Sequence, residues 1–312
     1  MTSFSAIFQQ YPQLNEPHVS RRALLAASSI LALNLVGCGS GDDAPATSGT
    51  GGTGNVVTTL AGSATSGFVN GPRLSASFNG PTGVAVDGSG NVYVADRNNN
   101  MIRKIDSAGI VSTLAGSATS GFANGPGLSA SFNGPTGVAV DGSGNVYIAD
   151  SGNHLIRKIT SAGVVSTVAS GTPVSFAGPT GVAVDASGNV YVADHFYNMI
   201  RKITSAGVVS TLAGSATSGS NDGTGPSASF SRPTGVAVDG SGNVYVADRN
   251  NNMIRKITSA GVVSTLAGST TSGSNDGTGP SASFLYPYGV AVDGSGNVYI
   301  ADSDNHMIRK IV

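Results

Sequence analysis

Residues 83–105, GVAVDGSGNVYVADRNNNMIRKI, decide the fold, because nearly the same stretch occurs five times in the chain. The further copies begin at Gly137, Gly181, Gly235 and Gly289. The aspartate that ends GVAVD therefore recurs at spacings of 54, 44, 54 and 54 residues. A period in this range predicts an array of supersecondary units rather than one continuous fold.

Each unit contains four short segments with the composition of β-strands. GVAV is apolar, NVYVA is β-branched and aromatic, MIRKI mixes aliphatic and basic residues, and VVSTLA is again β-branched. DGSGN and SAG, which separate neighbouring segments, are rich in turn-forming residues. Four antiparallel strands joined by tight turns make one blade, and blades repeated radially make a β-propeller. The sequence therefore predicts an all-β propeller of four-stranded antiparallel blades.

The two ends of the array suggest how the ring closes. Residues 56–62, VVTTLAG, have the composition of a fourth strand and precede the first full unit, whereas the last unit reaches only its third strand at Val312. Pairing these segments would leave no open sheet edge. We therefore expect five blades, with the N-terminal strand closing the last blade.

The repeated stretch, together with the STLAG that follows it, resembles the NHL repeat over residues 56–312. NHL propellers more often have six blades, so six blades is the alternative to five. Related propellers include gluconolactonase-like enzymes, which hold calcium through a glutamate and other oxygen ligands, and amidating lyases, which bind zinc through three histidines. The resemblance thus leaves a metal-dependent hydrolase or lyase as an alternative function.

The residues themselves do not favour that chemistry. The only glutamate is Glu16, which precedes the repeats, and His154, His195 and His306 belong to three different units. Each repeated VAD or IAD aspartate is expected to pair with the arginine of the third strand, and each repeated phenylalanine is expected to anchor the connection between units. No GxSxG nucleophile motif occurs. We predict no catalytic residue, no metal and no cofactor.

The first 38 residues differ in composition from the rest and predict an export signal. Arg21 and Arg22 precede an apolar run over residues 23–37, which is shorter than the about 20 residues of a membrane span. The run ends at Cys38, the only cysteine, in LVGC, which resembles a bacterial lipobox. This resemblance implies lipidation of Cys38 and an envelope location, the outer membrane being favoured where the host has one. The twin-arginine and general secretory routes both remain open.

The rest of the chain divides into two parts. Residues 39–55 are rich in Gly, Ser and Thr and predict a flexible tether, and residues 56–312 form the propeller. The formal net charge is −1, and ten of the sixteen basic residues belong to five dispersed Arg-Lys pairs. Nucleic acid binding requires concentrated positive charge, so no nucleic acid partner is expected.

Sequence variation among the units concentrates on one face of the expected propeller. The loop after the second strand and the connections between units open on the same face, and loops on a rigid scaffold commonly carry binding residues. The candidate binding residues are Arg97, Asn98, Asn99, His195, Phe196, Tyr197, Arg249, Tyr286 and Tyr288. Aromatic side chains beside Asn and Arg suit glycans or peptides. We therefore predict a lipid-anchored envelope protein whose propeller is a non-catalytic binding or scaffolding module for a protein or a glycan.

Overall fold

The computed structural model describes residues 58–63, 65–168 and 176–312, all of which belong to the compact unit Val56–Val312. Arg21, Arg22, Cys38 and the tether lie outside the described residues, so their predicted roles stay predictions. Among the described residues, no helix is long and apolar enough to span a membrane.

Five antiparallel sheets, which we call blades 1–5, follow one another along the chain. Blade 1 contains β1 (Gly71–Pro72), β2 (Pro81–Val86), β3 (Val92–Asp96), β4 (Met101–Ile105) and β5 (Ile110–Gly116). Blade 2 contains β6 (Gly125–Pro126), β7 (Pro135–Val140), β8 (Val146–Asp150), β9 (Leu155–Ile159) and β10 (Val164–Thr167). Blade 3 contains β11 (Pro179–Val184), β12 (Val190–Asp194), β13 (Met199–Ile203) and β14 (Val209–Gly214). Blade 4 contains β15 (Gly223–Thr224), β16 (Val236–Val238), β17 (Val244–Asp248), β18 (Met253–Ile257) and β19 (Val262–Gly268). Blade 5 contains β20 (Pro287–Val292), β21 (Val298–Asp302) and β22 (Met307–Ile311).

The strand order within a blade follows the chain from the inner to the outer edge. In blade 1 the order is β2-β3-β4-β5, and the short strand β1 pairs with the far side of β5. Blades 2 and 4 have the same five-stranded order, whereas the described residues give blade 3 four strands and blade 5 three. The prediction of an all-β propeller with five blades is therefore confirmed.

The tight turn between the first two strands is held by its own aspartate. The carboxylate of Asp87 accepts hydrogen bonds from the backbone N–H groups of Ser89 and Asn91, from the Asn91 amide and from the Tyr93 hydroxyl, at 2.8–3.0 Å. These hydrogen bonds, that from the Asn91 side chain first, lower the pKa of Asp87 to about 2. Gly90 adopts φ 80°, a left-handed conformation that favours glycine. The same bonds recur in all five units, which explains why DGSGN or DASGN is repeated so closely.

The hydrophobic core lies between neighbouring blades. Tyr191, Ala193 and Ile200 of blade 3 pack in one cluster with Val244 and Val246 of blade 4. Equivalent clusters join blades 1 and 2, 2 and 3, and 4 and 5. Burial of such aliphatic side chains contributes roughly 1.5–3 kcal/mol each, so neighbouring blades stabilise one another.

An arginine of the third strand joins the connection to its blade in blades 1, 2, 4 and 5, as blade 2 illustrates. Arg157 forms an ion pair with Asp150 at 2.9 Å, donates to the carbonyls of Ser131 and Ala123, and lies over the ring of Phe132 at 5.2 Å. The Asp–Arg pair and the phenylalanine recur in all five blades. The predicted Asp–Arg pairing and the anchoring role of the phenylalanines are therefore confirmed.

The predicted closure by the N-terminal strand is wrong. Blade 5 has three strands, and residues 58–62 form no strand. Instead, this segment lies on blade 1, where the Gly62 N–H donates to the Arg73 carbonyl at 2.7 Å and Ala61 packs against the cluster that contains Val94 and Ile105. Ala115 at the end of β5 makes the corresponding contact with blade 2, so residues 61–62 lie against blade 1 as the end of a fourth strand does, without pairing with β22.

The blades consequently form an open arc. The side chain of Val84 in blade 1 is 67% exposed, whereas its counterpart Val138 in blade 2 is 6% exposed. On blade 5, Ile308 is 77% exposed, whereas its counterpart Ile254 in blade 4 is fully buried. The facing surfaces of blades 5 and 1 are therefore uncovered by any described residue.

Candidate functional site

A short 3-10 turn joins the second and third strands of every blade on the variable face, which we call the loop face. The five turns are Arg97–Asn99, Ser151–Asn153, His195–Tyr197, Arg249–Asn251 and Ser303–Asn305. A residue with positive φ ends each turn, and in blades 1–4 its side chain accepts a hydrogen bond from the backbone of the next blade. Asn198, for example, has φ 54°, and its Oδ1 accepts a hydrogen bond from the Arg232 N–H at 2.9 Å. These bonds place the start of each connection next to the preceding blade's turn.

The residue whose N–H is held in this way in blades 2–5 also has a left-handed backbone, as does its counterpart Gly80 in blade 1, and we call this position the left-handed slot. Blades 1–3 have Gly80, Gly134 and Gly178 there, with φ between 56° and 59°. Blades 4 and 5 instead have Arg232 at φ 50° and Tyr286 at φ 49°. This conformation costs a residue with a Cβ roughly 1–2 kcal/mol. Two blades therefore carry long side chains where the backbone favours glycine.

Both side chains extend over the turn of the preceding blade. The Arg232 guanidinium lies 5.8 Å from the centroid of the Phe196 ring, and the Arg249 guanidinium lies 4.7 Å from the centroid of the Tyr286 ring. The His195 ring meets the Phe196 ring edge to face at 4.8 Å. We call His195, Phe196, Arg232, Arg249 and Tyr286 the loop-face strip, which runs across blades 3, 4 and 5.

His195 is a neutral member of the strip at pH 7. Burial lowers its pKa first of all, and the positive charges of Arg232 and Arg249 lower it further. Its Nδ1 lies 3.2 Å from the Pro233 carbonyl oxygen, which can only accept a hydrogen bond. Nδ1 therefore carries the proton, and Nε2 is left as an acceptor.

The strip also carries positive charge without a matching carboxylate. Each third-strand arginine forms an ion pair, whereas Arg232 and Arg249 have no carboxylate within ion-pair distance among the described residues. Guanidinium groups present several N–H donors to carboxylates, hydroxyls or carbonyls. The strip therefore combines aromatic rings for stacking, guanidinium hydrogen-bond donors and the Nε2 hydrogen-bond acceptor of His195 in one place.

Beside the strip lies the mouth of a central channel, lined by the inner strands of all five blades, with a volume of about 370 Å³. A hydroxyl in each of the first four inner strands donates to a carbonyl of the next blade: Thr82 to Thr136, Thr136 to Thr180, Thr180 to Thr234 and Thr234 to Tyr288, at 2.9–3.0 Å. Tyr288 takes the threonine's place in blade 5 and is partly exposed. An aromatic side chain therefore occurs where the other blades have only threonine.

The structure brings four of the predicted residues together, namely His195, Phe196, Arg249 and Tyr286. Tyr288 lines the channel. Arg97 and Asn98 lie on blade 1 and, among the described residues, do not contact the strip. The prediction that Asn99 belongs to the binding surface needs correction. Its side chain is buried, and its amide donates to the Asp96 carboxylate and the Gly67 carbonyl. Arg232 was not predicted; the sequence signal was the replacement of NGPTG by SRPTG.

Tyr197 occupies the position that Asn99 has in blade 1, and its half-exposed ring leaves the underlying carboxylate with fewer partners. Oδ1 of Asp194 accepts from the Ala177 N–H at 2.7 Å, whereas its Oδ2 has no hydrogen-bond partner among the described residues. Arg201 is 3.6 Å away. Burial raises the pKa of Asp194 to about 6. Within the part of the chain that the structure describes, Asp194 is the one buried aspartate of the five pairs with an unpartnered carboxylate oxygen.

The three candidate zinc ligands have separate roles. Nδ1 of His154 accepts a hydrogen bond from the Gly178 N–H at 2.9 Å, His195 faces the Pro233 carbonyl, and His306 is exposed on blade 5. In the described part of the chain, no three His, Cys, Asp or Glu side chains are grouped as a metal site requires.

Comparison with known proteins places this repeat in a family. The NHL repeat matches residues 78–105, 132–159, 176–199, 230–257 and 284–311. The chain is also 32% identical over 284 residues to Protein SUPPRESSOR OF QUENCHING 1, chloroplastic, of Arabidopsis thaliana. The match covers 82% of this chain and 27% of the plant protein, so the chain spans about a quarter of that protein's length.

Solved structures share the fold at low sequence identity. An auxiliary nutrient binding protein from Bacteroides ovatus is 20% identical with a TM-score of 0.60, covering 74% of this chain and 58% of that one. A gluconolactonase from Xanthomonas campestris is 14% identical with a TM-score of 0.52, covering 72% of this chain and 70% of that one. The five matched repeats coincide with the five blades, and the chain is therefore an NHL-repeat protein that folds as a five-blade β-propeller.

Proposed function

We propose that this propeller is a non-catalytic binding or scaffolding module of the cell envelope, which engages a protein or glycan ligand through the loop-face strip. A binding role is also the one named for the Bacteroides ovatus protein of the same fold, whereas the gluconolactonase represents the catalytic alternative. The proposal for this chain rests on its own loop face.

The observation that carries the proposal is the pair of non-glycine residues in left-handed slots. Blades 2 and 3 have glycine at this slot and keep the same hydrogen bond, so the fold does not require Arg232 or Tyr286. Strained backbone positions cluster at functional sites, where the strain serves the site. The two side chains extend the strip toward solvent, which a structural role would not demand.

The chemistry of the strip suits a ligand that combines planar or ring surfaces with polar groups. Phe196 and Tyr286 offer faces for sugar rings or aromatic side chains. The guanidinium groups of Arg232 and Arg249 donate hydrogen bonds, and Nε2 of His195 accepts one. Sugars and peptides both present hydroxyls or amides beside apolar faces.

Replacing the two slot residues by glycine tests the proposal while preserving the backbone. The double variant Arg232→Gly and Tyr286→Gly restores the residue that blades 1–3 have, so we expect it to fold. The wild-type and variant proteins would be compared on a glycan array and in capture from envelope extract. We expect the double variant to bind its glycan or protein ligand at least tenfold more weakly than the wild-type protein does. A second variant, Arg249→Ala, removes a guanidinium group of the strip and should also weaken binding. Arg97→Ala is its matched control, because it removes the same side chain from the equivalent turn of blade 1.

Unchanged binding by the double variant would overturn the proposed site. Stoichiometric zinc or calcium in the purified protein, lost together with a measurable turnover, would instead support the metal-dependent hydrolase or lyase.

The location in the envelope is part of the proposal. Export directed by the segment around Arg21 and Arg22 would deliver Cys38 for lipidation, and several acyl chains give stable membrane anchoring. Mass spectrometry of the mature N-terminus would detect the lipid. We expect Cys38→Ser to release the protein from the membrane fraction, and retention of this variant there would contradict the anchor.

A further inference from the structure

The charge of the loop-face strip indicates which class of ligand the strip would take, an inference that rests on the proposed function. Within residues 58–63, 65–168 and 176–312, the seven ion pairs all use arginines of the third strands. Arg232 and Arg249 take part in none of them. The two guanidinium groups of the strip therefore carry positive charge that no described carboxylate neutralises.

Blade 4 contributes both of these arginines, and its own acidic residues are engaged elsewhere. Asp222 and Asp248 both pair with Arg255, at 2.7 and 2.8 Å. Asp239 holds the tight turn between the first two strands, where it accepts hydrogen bonds from Ser241 and Asn243. The positive charge of the strip is thus available to an external anion.

His195 lies within electrostatic range of both guanidinium groups. Besides burial, which is the main cause, the charges of Arg232 and Arg249 lower the pKa of this histidine. The neutral ring adds no charge of its own, and its Nδ1 faces the Pro233 carbonyl oxygen at 3.2 Å. An anion beside His195 would therefore interact favourably with two cations at once.

Each cation of the strip is combined with an aromatic ring. The Arg232 guanidinium lies 5.8 Å from the centroid of the Phe196 ring, and the Arg249 guanidinium lies 4.7 Å from that of the Tyr286 ring. The rings remain accessible, since Phe196 is 57% and Tyr286 is 37% exposed. Cation–π contact restrains the guanidinium groups, so they lose less freedom when a ligand binds. The strip thus contains the same combination of ring and cation twice.

A matching ligand would carry a ring and an anion in each of its units. A uronic acid has both in one rigid sugar, whereas in an acidic peptide the carboxylates and the rings belong to different residues. Guanidinium groups bind carboxylates through two parallel hydrogen bonds, which are stronger than those between neutral groups. We propose that the loop-face strip binds an acidic polysaccharide, with uronic acid carboxylates on its two guanidinium groups and sugar rings against its two aromatic rings.

Oligomers of galacturonic, mannuronic and guluronic acid serve as probes of the full chain. Each acid is compared with its methyl ester, which keeps the sugar ring and removes the charge. By isothermal titration calorimetry, we expect at least one acid to bind roughly tenfold more tightly than its ester, as one hydrogen bond to a charged group would give. Because salt screens charge interactions, added salt should weaken binding of the acid more than binding of the ester.

Two arginine variants separate the charge of the strip from its rings. Arg249→Met keeps an unbranched side chain beside Tyr286 and removes the guanidinium group, so the preference for the acid over its ester should decrease. Arg97→Met is the matched control, because it removes the same group from the equivalent turn of blade 1. The control should keep the preference of the wild-type protein.

Equal binding of acid and ester by the wild-type protein would overturn the carboxylate preference and leave the strip a site for neutral glycans. Absence of binding to all three acids would overturn the acidic polysaccharide, and tighter binding of poly-glutamate would assign the strip to an acidic protein instead. Unchanged acid binding by the double variant Arg232→Gly and Tyr286→Gly would overturn the strip as a binding site. The failure of this inference is therefore distinguishable from the failure of the proposed function.

Discussion

At the scale of single residues, the repeats provide an internal comparison for every unusual side chain. Tyr197 stands where the other four blades have an asparagine that donates to the buried aspartate. The consequence is an Asp194 carboxylate with one oxygen unpartnered among the described residues. Burial raises its pKa to about 6, as burial also does for Asp248 of blade 4, so the unpartnered oxygen is what distinguishes blade 3.

Restoring the asparagine should give that oxygen a partner. We expect Tyr197→Asn to lower the pKa of Asp194 and to raise the free energy of unfolding at pH 7 by about 1 kcal/mol, the usual net value of one hydrogen bond. Chemical denaturation measures the stability and NMR titration the pKa. An unchanged pKa of Asp194 in this variant would show that the missing asparagine does not contribute to the raised pKa.

The pH dependence of this effect has a definite sign. Because the pKa of Asp194 is higher in the folded chain than in the unfolded chain, the folded chain binds the proton more tightly. The contribution of Asp194 to stability is therefore most favourable below about pH 4 and declines as the pH rises to about 6. The Tyr197→Asn variant should lose less stability over this range than the wild-type protein.

Sequence variation among the repeats predicted part of the candidate site. His195, Phe196, Arg249 and Tyr286 were found because they depart from the other units. Asn99 was chosen wrongly, although the asparagine repeated at this position in four units was itself a signal of a structural role. Arg232 was missed because its importance comes from a backbone angle, which composition does not report.

At the scale of elements, the Asp–Arg pair joins the connection to its own blade in blades 1, 2, 4 and 5. In blade 4, Arg255 pairs with Asp248 at 2.8 Å and donates to the carbonyls of Ser229 and Asn221. Removal of one partner from a buried pair leaves an uncompensated charge and costs about 3–5 kcal/mol. The connection would also lose its hydrogen-bond donors.

We therefore expect Arg255→Met to lower the free energy of unfolding by about 3–5 kcal/mol. Lys256→Ala is the matched control, since this neighbour on the same strand lies over Tyr245 at the surface and should change stability by less than about 1 kcal/mol. Denaturant unfolding of both variants checks the comparison. If Arg255→Met and Lys256→Ala changed the free energy of unfolding equally, the buried Asp248–Arg255 pair would not be a principal link between the connection and the blade.

At the scale of the whole molecule, the repeat alone was sufficient to predict five antiparallel blades, whereas their strand number varies from three to five in the described residues. The closure was not predictable in the same way, because VVTTLAG has the composition of an outer strand whether it pairs with β22 or lies on blade 1. Ala61 and Gly62 contact blade 1 as the ends of the other fourth strands contact the next blade, so these contacts do not decide the pairing. Pairing with β22 depends instead on how close blades 5 and 1 lie in space, which local sequence patterns do not encode.

The open arc shows itself in several contacts that blades 1–4 make with the next blade and that blade 5 lacks. The inner-strand glycines of blades 1–4 meet the backbone of the next blade, whereas Gly289 of blade 5 has only Ala301 nearby. The hydroxyl donors of the inner strands end at Thr234, and the turn of blade 5 ends at the exposed His306. All of these groups would contact blade 1 in a closed ring.

Alanine substitution of one glycine tests the open arc most directly. A Cβ at Gly181 would overlap the Thr234 carbonyl oxygen, so Gly181→Ala should lower the free energy of unfolding by about 3 kcal/mol. At Gly289 the nearest atom would be the Ala301 Cβ at 3.5 Å, an ordinary contact. Measured by denaturant unfolding, Gly289→Ala should change stability by less than about 0.5 kcal/mol. A loss at Gly289 as large as that at Gly181 would mean that blade 5 is packed against blade 1, which would contradict the open arc.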